Sequence, residues 1–195
     1  MAYKVLNNVS VKDASGISSL STDMLVLVIN KNTKNDSSFK ELDEKSKKFI
    51  SKTIRTHLDQ SNSSILLPKI DGINAKSILL VKGLDADMHT HKWLSLFRGI
   101  AQKGNQNKCK DISIMPGTIS PKGKDELWLI EMVSKTIESN VYIFSETKNK
   151  TSKKPSVKKL TILTSGLAGS KLTEAKKAAK VGFAIGEGVN TAKYL

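Results

Sequence analysis

Residues 173–195 read TEAKKAAKVGFAIGEGVNTAKYL. Ala178, Val181, Ile185, Val189, Ala192 and Leu195 recur every three or four residues, the spacing of one face of an amphipathic helix. Ala175, Ala179 and Phe183 widen that face. Gly182, Gly186 and Gly188 lower helix propensity, so a helix that keeps them is expected to pack closely against another element. Thr173 is the expected N-cap, with Glu174 in the first turn. No Gly, Asn or Pro follows to close the pattern, and the apolar stripe runs to Leu195 as though the protein continued.

Upstream of this helix, short apolar runs alternate with longer amphipathic ones. Strands are expected at 3–11, 24–29, 65–67, 77–81, 111–115, 141–144 and 160–163. The run MLVLVI at 24–29 is apolar throughout, as suits a strand buried on both faces. The strands at 65–67 and 77–81 flank the turn at Asp71-Gly72 and read as a hairpin. Helices are expected at 39–58, with Leu42, Phe49, Ile50, Thr53, Ile54 and Leu58 inward, at 88–104, with Trp93, Phe97, Ile100 and Ala101 inward, and at 124–139, with Leu127, Ile130, Val133 or Ser134, and Ile137 inward. The segment 146–159 is a lysine-rich loop, expected to be mobile. This alternation predicts an α/β domain with a mixed, mostly buried sheet.

The chain has 195 residues, enough for one domain with a substantial core. Its composition, 38% hydrophobic and 26% charged, is that of an ordinary globular protein. No apolar run approaches the roughly 20 residues of a membrane span. The N-terminus lacks a signal-peptide core, and the lone Cys109 excludes an internal disulfide, so a cytoplasmic home without membrane attachment is expected. Cys109 lies between Lys108 and Lys110, which would lower its pKa, but no base near it in sequence marks it as a nucleophile.

The net charge is +14, and of the 32 basic residues only Arg55 and Arg98 are arginines. Lysine meets phosphate as a point charge without arginine's bidentate fork, so any DNA binding would be salt-sensitive and weakly sequence-specific. Lys148, Lys150, Lys153, Lys154, Lys158 and Lys159 are the candidate patch, extended by Lys171, Lys176, Lys177 and Lys180. Few aromatics interleave, which disfavours base stacking. A solvated surface in a lysine-rich composition explains the same charges. Asp85, Asp87, His89 and His91 carry metal-ligand chemistry but read more simply as a solvated helix entry. The loop at 164–173, TSGLAGSKLT, precedes the last helix, and Ser165, Gly166, Gly169 and Ser170 there are candidate anion-binding residues, although neither phosphate-loop pattern is complete.

Three stretches resemble the leucyl aminopeptidase (cytosol aminopeptidase) family. EGVNTAKYL is similar to the family's G-x-x-x-A-(R/K)-x-L helix end through Gly188, Ala192, Lys193 and Leu195. IESNVYIFSETK at 137–148 resembles a Y-x-F-x-x-x-K strand through Tyr142, Phe144 and Lys148. SILLVKGL at 77–84 resembles a strand ending in V-G-L-G, with Lys82 interrupting it and Asp85 in place of the last Gly. The order and spacing of all three carry the resemblance over essentially the whole chain.

The resemblance implies a three-layer α/β/α N-terminal domain at 1–172, macro-domain-like in shape, with the helix at 173–195 leading to a catalytic domain absent from this chain. It implies a cytosolic enzyme that releases N-terminal amino acids, often leucine, from peptides. Two divalent metals, Zn or Mn, would be held by the catalytic domain. The family's N-T-D-A-E-G-R run is absent here, so no catalytic residue, metal ligand or cofactor is assigned to this chain. The resemblance also implies a homo-hexamer, and the stripe Val181, Ile185, Val189, Ala192 and Leu195 is then the candidate contact with the chain's own catalytic domain. The alternatives are a DNA-binding module using the lysine patch and a macro-domain-like binder of a nucleotide such as ADP-ribose at the 165–170 loop.

Overall fold

In the computed structural model, residues 5–58, 63–117, 119–142 and 155–193 are described. They form six strands: β1 (Asn8–Asp13), β2 (Met24–Ile29), β3 (Ser64–Pro68), β4 (Ser77–Lys82), β5 (Asp111–Met115) and β6 (Lys159–Thr164). The strands build one sheet in the order β1-β6-β5-β2-β4-β3. Every pairing is parallel except the β3–β4 hairpin, so the sheet is mixed as expected.

Helices α3 (Thr90–Gln106), α4 (Glu126–Val141) and α5 (Gly169–Ala192) cover one face, and α1 (Ser37–Lys45), α2 (Phe49–Thr53) and a π turn at Ile54–Leu58 cover the other. Strand periodicity divides β2 between the two layers: Met24, Val26 and Val28 pack with Trp93, Phe97 and Ile130, while Leu25, Leu27 and Ile29 pack with Phe39, Leu42 and Ile54. This is the expected three-layer α/β/α fold.

The connection 14–23 carries the chain from β1 at the sheet edge to β2, passing the second face of β6 and β5. It inserts Ile17 into the core. Ser113 Oγ of β5 donates to Thr22 Oγ1 of this connection at 3.2 Å, and on the neighbouring strands Ser10 Oγ of β1 lies 3.2 Å from Thr161 Oγ1 of β6. Buried hydroxyls here are paired with one another, which removes most of their desolvation cost.

Several sequence expectations need correction. The expected helix at 39–58 is broken, because Lys47 (φ 52°) and Lys48 (φ 62°) are left-handed. The Asp43 carboxylate reaches over this kink and accepts from the Ser51 N–H and hydroxyl, at 2.9 and 2.7 Å. Phe49, expected inward, is 47% exposed, because the break shifts the helical phase. The first strand begins at Asn8, not at residue 3; residues 3 and 4 lie outside the described ones. The main-chain N–H groups of Val5 and Leu6 are used by a side chain described below. Val141 belongs to α4 rather than to a strand, and 143–144 lie outside the described residues.

The last helix starts at Gly169, four residues before the expected N-cap. The chain enters it through two left-handed glycines, Gly166 (φ 77°) and Gly169 (φ 56°). Thr173 is inside the helix, where its hydroxyl donates to the Gly169 carbonyl at 3.2 Å. The expected boundary at 172/173 therefore falls within α5.

Candidate functional site

The strand order reverses between β2 and β5: β2 connects toward β4 on one side, and β5 leads to β6 on the other. In open α/β sheets the crevice beyond the strands' carboxyl ends at such a point is the usual ligand position. Beside that point, beyond the carboxyl ends of β5 and β6, is a cavity of about 120 Å³, lined by Asp36, Pro116, Gly117, Ser120, Glu126 and Ser165 among others. Ligand pockets usually occupy roughly 300–1,000 Å³. Two of the lining residues are carboxylic acids, which repel a phosphate. Asp36 is already engaged, because its carboxylate caps α1 by accepting from Ser38 N–H at 2.8 Å and Phe39 N–H at 3.3 Å.

The candidate anion loop adjoins this crevice. Ser165 is half-buried; Gly166, Gly169 and Ser170 are exposed. The Ser165 hydroxyl oxygen is buried with no hydrogen-bond partner among the described residues. The Asp13 carboxylate, on the neighbouring β1, accepts from the Ser15 N–H at 2.8 Å; the Ser15 hydroxyl is the main cause of its lowered pKa, and the Gly166 N–H adds to it. A chain carboxylate thus stands beside the loop, where it would repel an external anion. The α5 N-terminus has no side-chain cap.

The lysine patch is partly outside the described residues: Lys148, Lys150, Lys153 and Lys154 all are. Lys158 and Lys159 are exposed at the start of β6, and Lys171, Lys176, Lys177 and Lys180 are exposed on α5. The six residues of β6, about 20 Å of extended chain, separate Lys159 from the entry to α5.

The stripe on α5 divides. Its buried residues are Ala175, Ala179, Gly182, Gly186 and Asn190, and this narrow face meets α4. A side chain at Gly182 would collide with the Glu131 main chain, and one at Gly186 would come within 2.9 Å of the Lys135 carbonyl oxygen. The expected close packing is therefore present at these two glycines, whereas Gly188 faces open space. The bulkier stripe points away. Val181 is 49% and Ile185 39% exposed, Val189 is half-buried and Ala192 is exposed. Leu195 lies outside the described residues.

One polar cluster gave no sequence signal. Glu138 is fully buried in α4. Its carboxylate accepts from the N–H groups of Val5 (2.9 Å) and Leu6 (3.0 Å) and from Asn190 Nδ2 (3.2 Å) on α5. Burial pushes its pKa up, and the two N–H bonds only partly oppose this. Lys193 Nζ donates to the Ser139 carbonyl at 2.8 Å, near the end of α4, which accounts for a cation at that position of the helix-end motif. A mid-helix Glu could have been read as solvated from sequence; only the chain's first residues folding back to it make it a ligand for backbone.

Cys109 is buried, and its pKa is raised by burial and by the carboxylates of Asp23 and Asp111, contrary to the lowering expected from its lysine neighbours. Asp85 pairs with Lys31 at 3.5 Å, and His89 and His91 stack at 5.8 Å between ring centroids. No group of three or more His, Cys, Asp or Glu among the described residues is placed to hold a metal ion. The residues present do not fit a two-metal centre.

Comparison with known proteins follows the fold. Residues 25–151 match the family described as the cytosol aminopeptidase family, N-terminal domain. A probable cytosol aminopeptidase of Nitrosomonas eutropha is 27% identical over 177 residues, covering 89% of this chain and 35% of that protein. The chain thus spans about a third of the length of the curated relatives it matches. Among solved structures, a mutant of tomato leucine aminopeptidase superposes with a TM-score of 0.66 at 18% identity, covering 93% of this chain and 37% of that one. A Trypanosoma brucei macrodomain in complex with ADP gives a TM-score of 0.61 at 10% identity, covering 87% of this chain and 67% of that one. At these identities the superpositions speak for a shared macro-domain-like fold. With the family match spanning well over half its length, the chain belongs to the cytosol aminopeptidase family, in the part that forms the family's N-terminal domain.

Proposed function

We propose that this chain is the non-catalytic module of a cytoplasmic two-metal aminopeptidase that releases N-terminal amino acids, often leucine, from peptides. The expected division at 172/173 falls inside α5, so the module includes that helix, and its far end leads toward a catalytic domain that would hold the Zn or Mn ions. The module shapes and stabilises the assembly, a homo-hexamer, rather than touching substrate. The observation that carries this reading is the outward stripe of α5. Val181 and Ile185 are among the most exposed large apolar side chains described, and they lie on α5, which follows the matched residues 25–151 after β6. Exposed apolar surface of this kind is where a partner is expected. The names of the relatives support the cytosolic and peptidase parts.

The test is hydrolysis of leucine amide by the purified 195-residue chain, with and without added Mn or Zn. No turnover above buffer is expected. Measurable, metal-dependent turnover overturns the assignment of the chemistry to another domain.

DNA binding is the second reading, and the exposure of Lys176, Lys177 and Lys180 along one helix favours it. A nucleotide-reading role draws support from the fold it shares with macrodomains. The small crevice, its two carboxylates and the Asp13 carboxylate beside the loop weigh against it. Amide exchange at 165–170, unchanged by ADP-ribose, is the expected result.

A further inference from the structure

A cleft of about 460 Å³ lies between α3 and the β4–β3 edge of the sheet. Its apolar lining comes from Leu79 and Val81 of β4, Leu84 beyond it, and Leu96 and Ile100 of α3. Its cations are Lys92 and Lys103 of α3, and no acidic side chain lines it. Neither lysine has an ion pair among the described residues, whereas the nearby acid Asp85 is paired with Lys31. The cleft exists because the edge strand β3 extends beyond the cover of α3. Leu66, on β3, is 39% exposed for the same reason.

Gly99 is the second observation. It sits in the middle of α3, where glycine costs about 1 kcal/mol of helix propensity relative to alanine. Close packing does not require it: a Cβ added there meets no atom within 4 Å. Gly104 on the same helix is different, since a Cβ there would run into Ile112 and Val157. Lys92, Leu96, Gly99 and Lys103 follow at i, i+4, i+7 and i+11, so one helix stripe supplies two cations, an apolar wall and a gap between them. The gap keeps the apolar floor open to an occupant.

We infer that this cleft binds a small amphipathic anion, an alkyl carboxylate of medium length, with its chain over Leu79, Val81 and Ile100 and its head group on one of the two lysines that flank that floor. The volume falls within the roughly 300–1,000 Å³ of small-molecule sites. Charge complementarity selects the head group, and the apolar floor selects the chain. The site is separate from the α5 stripe and does not depend on the aminopeptidase reading.

The probe is octanoate, titrated into the 195-residue chain and followed by calorimetry and amide chemical shifts. Octanol and acetate serve as the uncharged and chainless comparisons. Octanoate is expected to bind saturably at one site, more tightly than either comparison, with shifts concentrated at 63–64, 79–84 and 92–103. Gly99→Trp should fill the cleft and abolish binding, with unchanged circular dichroism. Should that variant not fold, Lys92→Glu with Lys103→Glu, both at the solvent rim, provides the second test and should weaken binding severalfold. No binding at millimolar octanoate, shifts elsewhere, octanol binding as well as octanoate, or indifference to both variants would each overturn the proposal.

Discussion

Asp23 shows how one carboxylate can tie two strands together. It stands just before β2. Its Oδ2 accepts from the Lys110 N–H at 2.7 Å, and its own N–H donates to Asp111 Oδ1 at 2.8 Å, so the starts of β2 and β5 hold each other reciprocally. Lys76 Nζ, 2.6 Å away, adds a charge from the residue before β4. Burial alone would raise the Asp23 pKa, but the bond to Lys76 and those from the Lys110 and Asp111 N–H groups outweigh it and hold the pKa below the usual carboxylate range. A lowered pKa means that the folded state binds the proton less readily than the unfolded chain. The contribution is therefore present above the unfolded carboxylate pKa and is lost as pH falls through the folded one. Asp23→Asn should cost about 1–2 kcal/mol at neutral pH, and the difference from the parent should shrink in acid. Urea unfolding of both proteins across that range measures it. Glu138 is a harder case, since its partners are backbone groups. Glu138→Ala strands the Val5 and Leu6 N–H groups and the Asn190 amide, and should cost about 3 kcal/mol or more. Glu138→Gln keeps the volume and should cost less. Equal denaturation midpoints for the parent and Glu138→Ala would show that the N-terminal segment is not held by this carboxylate.

The helix α5 makes its predictions through glycine. At Gly182 the α4 backbone occupies the space of a side chain, so Gly182→Ala forces the two helices apart and should cost about 2 kcal/mol or more. At Gly188 nothing lies within 4 Å, and Gly188→Ala should instead stabilise by about 0.5–1 kcal/mol. Opposite shifts in thermal midpoint for the two alanines are the expected result. This pair also shows what sequence could convey. Three glycines in an apolar stripe announced close packing, and two of them do pack closely. Which stripe is buried was not legible, because Ala175, Ala179 and Gly182 offer less hydrophobicity than Val181 and Ile185, yet only small residues allow α4 to approach. The β2 run was legible because six consecutive apolar residues admit a two-sided burial. The break at Lys47 and Lys48 was not, since lysine carries no left-handed preference and the stabilising Asp43–Ser51 contact spans eight residues. For the candidate site, the 165–170 loop was visible in its glycines, but the Asp13 carboxylate beside it is there only because β1 lies next to β6.

The molecule as a whole presents apolar and cationic surfaces whose consequences can be separated. Val181→Asp with Ile185→Asp alters exposed positions and should move the chain's own stability by no more than about 0.5 kcal/mol per site. In a protein that also carries the catalytic domain, the same pair should lower the assembly state seen by light scattering if the stripe is the contact. The net charge of +14 acts differently, because it needs no geometry to attract a polyanion. Binding of a short DNA duplex at low salt would therefore not by itself mark a site. The discriminating quantity is the slope of log affinity against log salt, about 0.9 for each phosphate neutralised on duplex DNA. Lys176, Lys177 and Lys180 are exposed on adjacent turns of α5, close enough to follow one strand of a duplex. If they form an interface, Lys176→Glu with Lys180→Glu should reduce the slope by about two contacts, while Lys47→Glu with Lys48→Glu, at the helix break on the other face of the sheet, should leave it nearly unchanged. A slope lowered equally by both pairs would show the protein's overall charge at work and remove the α5 lysines as a DNA-binding surface.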